Sequence, residues 1–397
     1  MSRRQYLGLQ TLVFSLVGAA FTTIYITQPV LPVLQMEFGV DEARASLTIS
    51  AVILGISLAN LPFGMLADRF PIRPIILVGG LMITLCGIFC ALTQSLSLLV
   101  LARFVQGLFI PSLTTCLAAY LARTLPMERL NVVMGSYVSA TVAGGLSGRL
   151  LGGWIHPPLH WRYAFVTASA LLLAATCAAA KWLHSAEVER QSRSKSTGFL
   201  NLLSRWDLLR IYSVAFGAFF VFSSIFNYLP FYLSGPPFNA STHTITFLYL
   251  SYIVGIVTGP LAGSFSNRVG NGKAMAVGAV VFALAIGLTL IKSMFAIVLS
   301  LAVVCAGFFT VHSAAAGALN RKLSSNLGRA NSLYVLFYYL GGYVGITTSG
   351  YAYVFGGWPG VAMVGFLVLS IPFAAGLVEM RQRIALGRVK EGGSDLY

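Results

Sequence analysis

The sequence predicts an all-α membrane protein of twelve transmembrane helices arranged as two six-helix pseudo-repeats. Three observations predict it. First, 57% of the 397 residues are apolar and only 9% are charged, with a mean hydropathy of +0.81. Soluble domains carry about 25% charged residues, so lipid must be the solvent for most of this surface. Second, the chain contains twelve apolar runs, most of them as long as the roughly 20 residues that cross a bilayer core of roughly 30 Å. Third, the two halves repeat each other at a nearly constant offset.

The runs in the first half lie near 8–34, 45–67, 74–94, 96–121, 131–153 and 162–183, and those in the second near 208–233, 243–265, 274–291, 294–318, 329–354 and 358–380. The first run is too long for the apolar region of a signal peptide, about 7–15 residues, and is read as a retained span. Between the halves, His184 to Trp206 holds five serines and mixed charges without an apolar period, which predicts a flexible, exposed linker. The expected organisation is therefore a six-helix bundle over 1–183, a linker over 184–206, and a second bundle with a short tail over 207–397.

The repeat rests on three echoes. Gly64, Asp68 and Arg69 return as Gly263, Asn267 and Arg268; Arg129 and Asn131 return as Arg329 and Asn331; Leu31-Pro32 returns as Leu229-Pro230. Parallel repeats of this kind place a solute site near the membrane midplane between the halves.

Charge sets the orientation and excludes some functions. The formal charge is +15, but the cations sit in short clusters between apolar runs, which is a topology signal and not the basic face of a nucleic-acid binder. With both termini placed in the cytoplasm, 21 of the 26 basic residues fall on that side; Arg44, Arg162 and Lys292 fall opposite, and Arg103 and Arg149 lie inside spans. The expected location is a bacterial inner membrane. The five cysteines, Cys86, Cys90, Cys116, Cys177 and Cys305, lie in apolar stretches with no CxxC pair, so neither a disulfide nor a metal site is expected. The sequence lacks G-x-x-x-x-G-K-[ST], H-E-x-x-H and G-x-S-x-G, which argues against ATP hydrolysis and against an embedded hydrolase. No enzyme activity and no cofactor are expected; the expected partners are a small-molecule substrate and the lipid bilayer, with protons as a candidate coupling ion, no nucleic acid, and the chain acting as a monomer.

The loop Gly64-Met-Leu-Ala-Asp68-Arg69-Phe-Pro71-Ile-Arg73 resembles the G-x-L-x-D-R-x-G-R-[KR] element of the major facilitator superfamily, with Pro71 where glycine is usual. Arg103-Phe-Val-Gln106-Gly107 resembles the family's R-x-x-Q-G element. Gly144-x-x-x-Gly148-Arg149-x-x-Gly152-Gly153 is similar to the antiporter motif of its drug exporters, with Arg149 in place of proline. Tyr25-x-x-Gln28-Pro29-x-Leu-Pro32, Phe-Asn227-Tyr228, Ala-Gly-Phe-Phe in span 10 and Ser-Leu-Tyr334-x-x-x-Tyr338-Tyr339-Leu-Gly resemble its branch of YnfM-like permeases, also called acriflavine-sensitivity or arabinose-efflux-like. The resemblance covers the whole chain. It implies a secondary transporter working by alternating access, with efflux as its direction. It also implies a conformational latch on the cytoplasmic side built from Gly64, Asp68, Arg69 and Arg73 and its weaker copy at Asn267 and Arg268.

Embedded polar residues supply the candidate substrate contacts, because an intramembrane charge is a functional hypothesis by default. They are Tyr25, Gln28, Arg103, Gln106, Arg149, Asn227, Tyr228, His312, Tyr334 and Tyr338. Two readings of the arginines stay open: they bind an anionic group of the substrate, or they bond backbone carbonyls and the broken end of span 1 or snorkel outward. None of the eleven acidic residues lies deep in a span, so the buried carboxylate of proton-coupled drug exporters is missing, and export of a small organic anion is preferred over proton-coupled efflux of amphipathic drugs or dyes. His312 is either a proton carrier or a hydrogen-bonded structural histidine. Gly144, Gly148 and Gly152, spaced by four, predict one helix face for close packing.

Overall fold

The computed structural model describes residues 3–183, 198–323 and 326–392, and no strand occurs among them. In chain order the helices are α1 (Arg3–Ile24), α2 (Leu31–Phe38), α3 (Glu42–Ala67), α4 (Ile72–Leu92), α5 (Leu96–Leu113), α6 (Thr115–Thr124), α7 (Met127–Ile155), α8 (Trp161–Trp182), α9 (Phe199–Leu203), α10 (Trp206–Ser234), α11 (Thr242–Leu248), α12 (Tyr252–Val269), α13 (Asn271–Leu288), α14 (Met294–Arg321) and α15 (Leu327–Gly392). A short 3₁₀ turn, Gln28–Val30, separates α1 from α2, and another, Tyr249–Ser251, separates α11 from α12.

These elements form the expected twelve crossings. Ten apolar helical stretches reach crossing length among the described residues, several of them merging neighbouring helices. The last, Leu327–Gln382, is two helices broken at Gly357, whose φ of 57° and ψ of −152° no helix accommodates. The twelfth crossing is α7, 29 residues long with Arg149 inside it, or about 43 Å at 1.5 Å per residue. The first span is interrupted at 25–30, where Pro29 and Pro32 withhold backbone donors. Of the expected linker, residues 184–197 lie outside the described residues. The remainder carries α9, a five-residue helix with Leu202 buried.

Helix ends follow local chemistry. The Asp41 carboxylate accepts the Arg44 amide at 2.7 Å and caps α3, and the Ser241 hydroxyl accepts the Thr244 amide at 3.2 Å and caps α11. The α3–α4 loop explains the departure at Pro71. Its φ is −58°, so proline is compatible with the N-cap of α4. The corresponding residue of the second half, Gly270, has φ +94°, a conformation that side chains disfavour.

Packing divides the chain into two compact units. Unit 1 comprises Met1–Ser194, Phe226–Leu250 and Ile346–Gly357, and unit 2 comprises Lys195–Ile225, Ser251–Gly345 and Trp358–Tyr397. The units therefore cut across the sequence repeat, since residues 226–250 and 346–357 belong to unit 1. In unit 1, α1 packs on α7 and α8, and α5 packs on α3 and α4; in unit 2, α14 packs on α12 and α13.

The glycine face of α7 lies on the backbone of α1. A Cβ at Gly144, Gly148 or Gly152 would stand 2.3, 2.2 or 1.9 Å from the carbonyl oxygens of Gly18, Thr22 and Ile26. The Thr22 hydroxyl uses this proximity to donate to the Gly144 carbonyl at 3.3 Å. Unit 2 repeats the device: a Cβ at Gly341 or Gly345 would stand 2.2 or 2.4 Å from the carbonyls of Phe216 and Phe220, and the Ser223 hydroxyl donates to the Gly342 carbonyl at 3.2 Å. Without a hydrophobic drive between helices in lipid, such close approach supplies much of the association. Gly148→Val is expected to lose about 1–3 kcal/mol through overpacking. A clear fall in melting temperature of the detergent-solubilised protein would register this, whereas Gly135→Ala, where an added Cβ meets nothing within 4 Å, should melt like the parent.

Candidate functional site

Arg103 is entirely buried, and its guanidinium is consumed by the frame of unit 1. Nε donates to the Thr48 carbonyl at 3.0 Å, Nη1 to the Thr23 carbonyl at 2.7 Å and to Gln106 Oε1, and Nη2 to the Ile24 carbonyl. Thr23 and Ile24 are the last residues of α1, whose terminal carbonyls have no partner within the helix. The cation also sits at the negative end of the helix dipole and 5.4 Å from the Phe165 ring centre. Gln106 turns its amide nitrogen to the Ile83 carbonyl at 3.2 Å. Arg103 thus clamps the carbonyls at the end of α1.

Arg149 is on the other side of the same break, 3% exposed. Nε donates to Gln28 Oε1 at 2.6 Å and Nη1 to the Gly145 carbonyl at 2.7 Å. Its guanidinium lies 3.9 Å from the Tyr25 ring centre and 5.5 Å from that of Tyr249, close enough for cation–π attraction to both. The structure thus brings Tyr25, Gln28 and Arg149 together and adds Tyr249, which is not among the candidate contacts named from the sequence. Asn227 and Tyr228 lie elsewhere in unit 1. Asn227 Nδ2 donates to Ser46 Oγ at 2.8 Å while its Oδ1 has no partner, and the Tyr228 hydroxyl donates to the Ile346 carbonyl at 2.8 Å.

His312, Tyr334 and Tyr338 meet in unit 2. His312 Nδ1 and the Tyr334 hydroxyl are 3.0 Å apart, and the Tyr338 ring centre is 5.3 Å from that of the imidazole. Tyr334 and Tyr338 share one face of α15, one turn apart. The cluster continues into a stack of phenylalanines: Phe219 on Tyr338 at 3.8 Å, Phe308 on Phe222 at 3.9 Å, and Phe308 on His312 at 5.7 Å between ring centres. Tyr334 is buried, whereas His312, Tyr338 and Tyr339 stay half-buried.

The residues of the expected latch are partly engaged. Asp68 and Arg69 are exposed at the end of α3, and Arg73 donates to the Ala180 carbonyl. In the second copy Arg321 donates to Asn267 Oδ1 at 2.6 Å, and Arg268 is exposed. The side chain equivalent to Arg321 in the first half, Arg123, lies outside the described residues, as do those of Arg129 and Asn131.

One further polar cluster in unit 1 was not foreseen. Glu37 accepts from Arg162 Nη1 at 2.6 Å and from Trp161 Nε1 at 2.5 Å, and His160 is 3.6 Å away. Burial, and then the charge of His160, lowers the pKa of nearby His156. These residues escaped notice because they flank spans and do not interrupt them.

The chain matches the family model described as Major Facilitator Superfamily over residues 13–251 and 235–386. It is similar to an uncharacterized transporter of Buchnera aphidicola subsp. Schizaphis graminum, 26% identical over 90% of this chain and 87% of the relative. It is likewise similar to the inner membrane transport protein YnfM of Escherichia coli (strain K12), 28% identical over 94% of this chain and 90% of the relative. Among solved structures, a bacterial homolog to the human lysosomal transporter Spinster superposes with a TM-score of 0.76 at 15% identity, covering 96% of this chain and 99% of that one.

Replacing the clamp should cost more than replacing its neighbour. Arg103→Met strands the buried carbonyls of Thr23 and Ile24 at the end of α1, at about 1–3 kcal/mol per unsatisfied group. Thermal unfolding followed by size-exclusion chromatography should find little folded Arg103→Met and more folded Arg149→Met. Equal loss in both would remove the special place given to Arg103.

Proposed function

The chain belongs to the Major Facilitator Superfamily and is a multi-pass membrane transporter of small molecules; from that premise we propose that it exports a small organic compound from a bacterial cell across the inner membrane by alternating access. In this reading the halves at 1–183 and 207–397, joined by 184–206, move against each other, both termini are cytoplasmic, and the energy comes from an ion or solute gradient. The export direction is supported by the resemblance of Gly144–Gly153 to the antiporter motif of drug exporters.

The observation that carries the proposal is the half-buried state of His312 and Tyr338. His312 lies nine residues inside the end of α14, a depth of about 13 Å at 1.5 Å per residue. An ionisable side chain at membrane depth faces the bundle interior or a water-filled path, since exposure to lipid is costly. An imidazole, a phenolic hydroxyl and stacked ring faces suit a compound with a flat apolar body and a few polar groups. Arg149 supports an anionic substrate group: Gln28 and Gly145 accept from it as neutral groups, and a carboxylate makes the stronger, charge-assisted bond. Arg103 is proposed as structural. A second reading, proton-coupled efflux of amphipathic dyes, is favoured by His312 alone, the one histidine deep in a span among the described residues.

Thermal stabilisation across organic anions, sugars and cationic dyes tests the site, because a ligand specific for the folded state raises its stability. A stabilising compound should bind His312→Phe and Tyr338→Leu at least tenfold more weakly, with an anion also weakened by Arg149→Ala. Undiminished binding to the His312 and Tyr338 variants would sink the aromatic site. A dye that binds regardless of Arg149 would favour the second reading.

The proposed latch has its own test. Asp68→Asn should slow transport in proteoliposomes severalfold while expression and ligand binding remain near parental values. Loss of binding would assign Asp68 another role.

A further inference from the structure

At one edge of unit 2, where α10 begins and α14 ends, charged side chains gather. Glu379 Oε1 accepts from Lys322 Nζ at 3.0 Å and from Arg210 Nη2 at 3.2 Å. Arg210 Nη2 also donates to Gln382 Oε1 at 3.0 Å. Arg205 grips both oxygens of Asp207, at 3.2 and 2.8 Å, and reaches the Lys322 carbonyl at 3.4 Å. Three cations thus share two carboxylates, leaving an excess of one positive charge. The first turn of α10 adds the positive end of its helix dipole.

Two buried donors in this cluster lack an acceptor: Arg210 Nε and the Tyr212 hydroxyl. Tyr212 is completely buried and is stacked on Phe337 at 5.4 Å between ring centres, two residues along α10 from Arg210. Buried donors without partners are uncommon and call for an explanation. Phosphate oxygens are strong acceptors that form charge-assisted bonds with guanidinium and ammonium groups.

The flank of the cluster is apolar and open. Leu200 on α9 is 80% exposed, and Trp206, the first residue of α10, is 69% exposed. Phe199 carries the Arg329 guanidinium 5.5 Å from its ring centre. Exposed tryptophan and leucine beside basic residues mark the membrane–water boundary, and basic pockets between helix ends there suit anionic headgroups. We propose that this edge binds the phosphate of an anionic phospholipid headgroup through Arg205, Arg210, Lys322 and Tyr212, with the acyl region against Leu200 and Trp206. The adjacent apolar surface selects a lipid over a free phosphorylated solute.

The test uses the full chain in phosphatidylcholine discs with and without phosphatidylglycerol. Phosphatidylglycerol should raise the parent's melting temperature by several degrees. Arg205→Gln and Lys322→Gln should each lose most of that increment while melting near the parent in phosphatidylcholine alone. Lys322→Arg should keep it, as should Arg381→Gln, an exposed neighbour outside the cluster. Should one glutamine variant fail to fold, the other decides. The site is overturned if both glutamine variants respond to phosphatidylglycerol like the parent, or if the parent does not respond. The lipid assignment is overturned if inorganic phosphate in phosphatidylcholine discs reproduces the shift.

Discussion

A guanidinium bonded to the end of a broken helix is the contact on which unit 1 depends. Within a bilayer every backbone polar group must find a partner inside the protein. The interruption at 25–30 leaves the Thr23 and Ile24 carbonyls without helical partners, and both are received by Arg103 from α5. The same side chain reaches Thr48 of α3, so one cation fixes three helices. Its burial is tolerable because every nitrogen of the guanidinium donates to an oxygen of the frame.

The fixed break has consequences for Arg149. It presents Gln28 and Tyr25 as an amide and a ring face toward α7, where a guanidinium can lie flat on one and bond the other. This requires α7 to run close to α1, and the small residues at 144, 148 and 152 permit that approach. The glycine face and the embedded arginine are therefore one arrangement. Unit 2 has the close approach, where Gly341 and Gly345 of α15 lie on the backbone of α10, without a cation equivalent to Arg149 among the described residues. It places rings there instead, with Phe219 stacked on Tyr338.

The two units differ in how they hold polar side chains at span depth. In unit 1 the polar side chains at span depth are almost wholly buried and bonded to the frame. In unit 2 an imidazole and two phenols remain half-exposed among aromatic faces. The guanidinium of Arg103 is spent on backbone carbonyls, whereas the imidazole of His312 is paired with a phenol and keeps a half-exposed ring face. The edge at Glu379 is a third use of charge: its cations outnumber the carboxylates that hold them.

The sequence by itself determined the spans, the repeat and the family, because each is a sum of local terms. Transfer energy accumulates along a segment, and echoes such as Asp68 and Asn267 need only counting. The short glycine spacing in α7 was legible for the same reason, since one helix face follows from a period of 3.6 residues. Arg103 and His312 were legible as anomalies, a charge and an imidazole in apolar runs, but their partners were not. Any residue can supply the carbonyls that Arg103 binds, so no side-chain pattern announces them. Likewise, His312 and Tyr334 are 22 positions apart and meet only because α14 and α15 pack together. Tertiary structure alone decided which partner each buried polar group meets, because that depends on geometry between helices, and geometry of that kind leaves no mark on the hydropathy of either one.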